Sequence, residues 1–142
     1  MALQRTLSIV KPDAVEKQKV GAIIERLETE GFKILAMKRL HLTLAEARGF
    51  YAVHRERPFF KDLTEFMSRG PIVVMVLERE GAIQKYRDVI GATDPAKAAA
   101  GTLRKLYGTD VGENALHGSD SPETAQTEVS YFFAGYEVSP LV

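Results

Sequence analysis

The chain contains no cysteine. That excludes a disulfide framework, a thiolate metal site and a cysteine nucleophile. It also lacks an excess of charge of either sign, because nineteen basic residues balance nineteen acidic ones. No bulk field therefore draws a polyanion, which speaks against nucleic acid as a partner while leaving room for a local anion pocket. No apolar run reaches the roughly 20 residues needed to cross a bilayer, and the segment from Met1 to Arg5 is no secretory core. The expectation is a cytoplasmic protein with no membrane partner. Internal repeats and low-complexity stretches are absent as well.

The 142 residues suit one domain, taken here as 1–142, and 45% hydrophobic with 27% charged residues is ordinary for a globular chain. Arg5 to Lys11 reads as a strand that stops at Pro12, where the ladder loses a donor. Val20, Ile23, Ile24 and Leu27 form one helical face that ends at Gly31. Phe32 to Leu42 predicts a second strand. Thr43 and Glu46 have capping-box spacing, which predicts a helix from Thr43 to about His54. Pro58 opens another helix through Met67, and Gly70-Pro71 breaks it. The continuous apolar run Ile72 to Leu77 predicts a central strand covered on both faces. Ala82 to Ile90 is helical, and Ser121-Pro122 begins a last helix that turns Ala125, Val129, Phe132 and Phe133 to the core. Between Gly91 and Asn114 lies a long loop with one helical turn around Leu103 to Leu106, and long loops in compact domains are usually functional. A short strand before Gly118 completes a split βαβ layout: an α+β sandwich with an antiparallel sheet and helices on one face.

His117 sits in Asn114-Ala115-Leu116-His117-Gly118-Ser119-Asp120-Ser121-Pro122. It reads either as a turn histidine before a helix cap or as a nucleophile, since imidazole is available neutral near pH 7. Gly118 permits close backbone approach, and the helix start beyond it offers N–H groups to an anion. Glu128 lies about 300° around its helix from Ala125, beside the Val129/Phe132 stripe, and so points inward. An inward carboxylate needs a partner, either an arginine or His117 directly or through Ser119. Lys11 ends a strand. Arg87, Thr93 and Arg104 are each ordinary surface groups taken alone, yet together with Lys11 they supply the cations and hydroxyl that a di- or triphosphate requires. Phe59 and Phe60 open a helix, and one of them is a candidate stacking surface for a base. Tyr51 lies on the Leu44/Ala47 face as a core tyrosine whose hydroxyl must reach something. His41 and His54 lack metal-ligand spacing. Missing too are GxxxxGK[ST], GxGxxG, HExxH and GxSxG. A nucleotide enzyme without such loops must hold phosphate with side chains.

These residues bring a family into view. Asn114 to Ser121, with His-Gly-Ser-Asp-Ser, resembles the active-site signature of nucleoside diphosphate kinases. Thr6 to Ala14, Phe50-Tyr51 with His54, Arg57-Pro58-Phe59-Phe60, Gly70-Pro71, Gly91-Ala92-Thr93 with Pro95, and Gly101 to Arg104 resemble further family blocks in the same order. The resemblance spans residues 4 to 137. It implies a ferredoxin-like fold with a four-stranded antiparallel sheet. It implies that a nucleoside triphosphate passes its γ-phosphate to a nucleoside diphosphate in ping-pong fashion through a phosphohistidine at His117. Lys11, Arg87, Thr93 and Arg104 would hold phosphates, Asn114 the sugar hydroxyls, and Phe59 the base. Tyr51, Ser119 and Glu128 would support Lys11 and the histidine. Mg²⁺ as cofactor, a homotetramer or homohexamer, broad base and sugar tolerance and upkeep of nucleoside triphosphate pools are further implications. A non-catalytic nucleotide-binding regulator and an interaction protein are the rival classes.

Four places depart from the family pattern. Arg69 replaces a small residue before Gly70-Pro71, and Arg79 replaces a glycine between Glu78 and Glu80. Asp94 stands where asparagine is frequent, and Lys105-Leu106-Tyr107 replaces a more acidic segment. None of them removes a proposed catalytic group.

Overall fold

The structure is a computed structural model that describes residues 2–138. Strand β1 (Leu3–Val10) leads through α1 (Pro12–Glu16) and α2 (Val20–Thr29) to β2 (Lys33–Leu40). Helices α3 (Leu44–Phe50) and α4 (Phe60–Met67) precede β3 (Ile72–Glu80). Helix α5 (Ala82–Ile90), α6 (Leu103–Tyr107), β4 (Leu116–Gly118) and α7 (Pro122–Phe132) complete the chain. The sheet order is β2-β3-β1-β4 with every neighbouring pair antiparallel. β1 and β2 thus run the same way with β3 between them, the split βαβ arrangement of the ferredoxin-like fold.

The sequence suggested helices on one face; the structure has them on both. Side chains alternate along β3, so Val73, Met75 and Leu77 join Ile23, Leu27, Tyr86 and Val89 in one core. Ile72, Val74 and Val76 join Ala47, Tyr51, Met67 and Phe132 in another. The unbroken apolar run of β3 carried that information, because a strand exposed on one side would alternate with polar residues. Two further boundaries shift. The helix from Thr43 has its expected capping box but gives way after Phe50 to a 3-10 turn at Ala52–His54. Val53 is 86% exposed, so no apolar stripe rewards a longer helix. Helix α4 begins at Phe60, after Arg57 O has closed a turn on Phe60 N. That turn leaves Phe59 outside.

Antiparallel partners share a sheet face, and His117 pairs with Ile9. The ring therefore stands on the α7 side. Ser121 caps α7 by accepting from Thr124 N, with Pro122 in the first turn, as its sequence foretold.

Candidate active site

The segment leading into β4 is pinned before it reaches His117. Ala115 is buried and holds φ +74°, a left-handed conformation that costs a residue with a Cβ roughly 1–2 kcal/mol. Backbone and side chain of the first turn after β1 hold it there. Lys11 N donates to Ala115 O at 2.8 Å, and Ala115 N donates to Asp13 Oδ2 at 3.0 Å. Burial raises the Asp13 carboxyl above its ordinary range, opposed by the bond from Ala14, by Lys11 and by the bond from Ala115.

His117 Nε2 lies 2.9 Å from Glu128 Oε1. Ser119 Oγ donates to the same oxygen at 2.8 Å and accepts from Leu7 N at 3.1 Å. An ionised carboxylate only accepts, so Nε2 carries the ring hydrogen and Nδ1 presents the lone pair. Among the described residues Nδ1 has no hydrogen-bond partner. Of the two partners the sequence left open to Glu128, the structure brings the histidine and Ser119. Phe50 and Tyr51 stand edge-on to the imidazole, with centroids 5.4 and 6.2 Å away. On the other sheet face Tyr86 Oη donates to His117 O at 3.1 Å and lies 2.6 Å from Ser8 Oγ. A Cβ on residue 118 would meet the Tyr86 ring at 2.5 Å, so the glycine there is a packing requirement.

Lys11 is 7% exposed, and its Nζ donates to Asn114 Oδ1 at 2.8 Å. Burial, then the nearby Arg104 charge, lowers its pKa to about 8, with Asp13 pulling the other way. Asn114 Nδ2 donates to Thr93 O at 3.1 Å, so one amide ties Lys11 to the long loop. Arg104 spends two of its five N–H groups on Gly91 O and Leu116 O at 3.0 and 2.8 Å. Its Nε is buried with no partner. Arg87 projects from α5 into solvent, 3.9 Å from Asp120. The Tyr51 hydroxyl is buried and unpartnered, and burial and then Glu128 push its pKa upward. The resemblance implied that Tyr51, Ser119 and Glu128 together support Lys11 and the histidine; the Tyr51 ring packs on the histidine, and its hydroxyl makes no bond to Lys11.

Two depressions adjoin at Thr93. One, of about 560 Å³, is lined by Lys11, Phe59, Leu63, Phe66 and Val111 among others. The second, of about 430 Å³, is lined by Arg87, Thr93 and Arg104. Of the two phenylalanines left open, Phe59 is 48% exposed, whereas Phe60 packs against the core. Val111, 57% exposed, lines the same cleft as Phe59, and sequence reasoning missed it. Its signal was a lone apolar residue in Thr109-Asp110-Val111-Gly112-Glu113. Asp13 was missed for want of any local signal, since its partner is a hundred residues away.

Three of the four departures, Arg79, Asp94 and Arg69, are accounted for locally. Arg79 donates to Glu30 O at the end of α2 and stacks on Phe32. Asp94 caps a 3-10 turn, Thr102 caps α6, and Arg69 forms ion pairs with Glu16 and Glu113. Among the described residues no group of three His, Cys, Asp or Glu could hold a metal ion, and no helix is long and apolar enough to cross a membrane.

The family model for nucleoside diphosphate kinase matches residues 4–138. A nucleoside diphosphate kinase of Sorangium cellulosum is 71% identical over 140 residues, covering 99% of this chain and 97% of the relative. The solved structure of the Aquifex aeolicus nucleoside diphosphate kinase superposes with a TM-score of 0.95 at 52% identity, over 97% of this chain and 100% of that one. A halophilic nucleoside diphosphate kinase from Halobacterium salinarum, solved in complex with CDP, gives a TM-score of 0.93 at 38% identity, over 99% of this chain and 94% of that one. The chain belongs to the nucleoside diphosphate kinase family and is an enzyme that moves phosphate between nucleoside triphosphates and nucleoside diphosphates.

Proposed function

We propose that the transfer runs in two halves through Nδ1 of His117. The observation that carries this reading is the engagement of Nε2 by Glu128, which leaves Nδ1 as the nucleophilic nitrogen. In the first half, the Nδ1 lone pair forms a P–N bond to the γ-phosphorus while the P–O bond to the β-phosphate breaks. The nucleoside diphosphate leaves with that electron pair. The ring gains positive charge, and the Glu128 carboxylate on Nε2–H stabilises it. A second diphosphate then takes the phosphoryl group back by the reverse step, giving ping-pong kinetics.

Phosphoryl transfer asks chiefly for alignment and charge stabilisation. Lys11 brings a buried ammonium, and Arg104 has three N–H groups left after its two carbonyl bonds. Arg87 and the Thr93 hydroxyl flank the adjoining groove. The unpartnered Tyr51 hydroxyl has a donor free for the phosphohistidine. Asn114 retains one lone pair and one N–H for sugar hydroxyls beyond its bonds to Lys11 and Thr93. Phe59 and Val111 offer apolar walls to a base. Stacking does not read base edges, so purines and pyrimidines are both accepted. Such tolerance suits an enzyme that balances nucleoside triphosphate pools in the cytoplasm.

The donor set fits a metal that arrives on the nucleotide rather than one held by protein carboxylates, and Mg²⁺ is the proposed ion. Bound to phosphate oxygens, it supplies neutralisation of the polyphosphate charge. Assembly into four or six copies is part of the same proposal, and sedimentation would tell the two apart. The test of mechanism is isolation of the ATP-treated enzyme free of nucleotide, followed by addition of CDP. CTP should form in an amount matching the enzyme. Formation of CTP only when both nucleotides are present would overturn the two-step route.

A further inference from the structure

Arg69 joins three parts of the molecule: the end of α1, the 109–113 turn and the Phe66 ring of α4. Its Nε and Nη2 donate to Glu16 Oε2 and Oε1 at 3.1 and 2.8 Å, a fork onto the end of α1. Nη2 also reaches Glu113 Oε1 at 3.3 Å. The guanidinium carbon lies 4.9 Å from the centroid of Phe66, a wall of the base cleft.

Glu113 closes a turn. Thr109 N and Asp110 N both donate to Glu113 O, at 2.8 and 3.3 Å, and Glu113 N donates to Asp110 Oδ1 at 2.8 Å. Val111 rides at its tip. Every residue from Thr109 to Gly112 is exposed, so no buried side chain anchors the tip. The near stem is held by Lys17, whose Nζ donates to Tyr107 O and Thr109 Oγ1 at 2.8 and 2.9 Å. The far stem is held by Arg69.

We propose that Arg69 is a positioning residue that latches the 109–113 turn against the cleft and fixes Val111 across from Phe59, thereby setting how firmly the base end of a nucleotide is gripped. The proposal rests on the reading that the base occupies that cleft. A single exposed ion pair would be too weak for the task. Here a planar fork, a second carboxylate and an aromatic face share one cation, so a single substitution releases all three. Lysine could not replace it, because a point charge cannot fork and stack together.

Asp62, Asp110 and Glu113 also line the cleft, so Arg69 has a rival role as a mere counter-charge for the polyanionic substrate. The two roles separate on a ligand without a base. KM and kcat for ADP and CDP, and the inhibition constant of ribose 5-diphosphate, are measured for Arg69→Met, Glu16→Gln and Phe59→Ala. Arg69→Met should raise both nucleotide KM values about three- to tenfold, keep kcat within about twofold, and leave ribose 5-diphosphate unchanged. Glu16 does not line the cleft, yet Glu16→Gln should raise KM in the same direction by less. Backbone amides of residues 109–113 should exchange hydrogen faster in both variants.

A rise in KM for Phe59→Ala without one for Arg69→Met overturns the latch and keeps the base cleft. No change in KM for Phe59→Ala overturns the cleft reading, and the latch with it. An equal loss of ribose 5-diphosphate binding in Arg69→Met makes the arginine a counter-charge and overturns the latch.

Discussion

His117 and Phe59 are the proposed chemical and base ends of one site, and the chain holds them by different means. The imidazole rises from β4, an edge strand of the sheet, and is bonded by Glu128, which accepts in turn from Ser119 Oγ, itself held by the backbone N–H of Leu7. Tyr86 fixes its carbonyl from the other face. Phe59 stands on the turn before α4, about half exposed, and faces a turn latched by surface ion pairs. The end where the proposed bond forms is held by several part-buried and buried hydrogen bonds. The proposed base end offers the apolar faces of Phe59, Phe66 and Val111, with Asp62, Asp110 and Glu113 around them. Under the proposed mechanism, the closely bonded, rigid end is the one where an error of an ångström would be costly, and the open, adaptable end the one where the ligand varies.

If that contrast is right, damage at the rigid end should fall on the rate and damage at the adaptable end on binding. His117→Ala is the largest break: nucleotide exchange should drop by at least about 10⁴-fold while ADP still binds, as equilibrium dialysis would show. Lys11→Met comes next, with transfer slowed about 10²- to 10³-fold through loss of one charge-stabilising donor. The same variant should be more stable than the parent. The ammonium is lowered from 10.5 to about 8 in the fold, so below pH 8 the unfolded chain binds that proton more tightly and burial costs up to about 3 kcal/mol. Stability of the parent therefore rises between about pH 8 and 10.5, and the advantage of Lys11→Met should shrink across that window in urea titrations. Within the free enzyme, kcat/KM should decline above about pH 8 as Lys11 loses its charge. A flat profile there would mean that Lys11 is not the cation that receives the phosphates.

Glu128→Gln keeps an acceptor for Nε2–H but removes the charge that stabilises the imidazolium. Phosphorylation by ATP in rapid quench should slow about 10- to 10²-fold with little change in KM. Phe59→Ala is the smallest of these breaks. It should raise KM roughly tenfold for purine and pyrimidine nucleotides alike and spare kcat. An effect confined to one base would mean that edge contacts, not stacking, hold the base.

The sequence was legible wherever neighbours in the chain decide the outcome. Ser121-Pro122 announced α7, Thr43 and Glu46 announced the capping box of α3, and the run Ile72 to Leu77 announced a strand with two covered faces. His117, Lys11, Glu128 and Ser119 were legible as candidates, and the fold brings the histidine, the glutamate and the serine into one hydrogen-bonded set. Contacts between distant segments were not legible. Nothing around Asp13 says that its carboxylate holds Ala115 in a left-handed turn, and nothing around Arg69 says that it meets Glu16 and Glu113. Val111 could be flagged only by its isolation in a polar loop. Such pairings arise when the sheet order is set, and spacing along the chain does not encode them.

The central claim is that the phosphoryl group rests on Nδ1 of His117 between the two half-reactions. The direct measurement is tandem mass spectrometry of the ATP-treated enzyme kept neutral to basic, with NMR of ¹⁵N-labelled histidine to assign the nitrogen. The expected result is one acid-labile phosphate on His117 Nδ1, and none on His41 or His54. Continued exchange with no phosphohistidine, or with the phosphate on another residue, would contradict it.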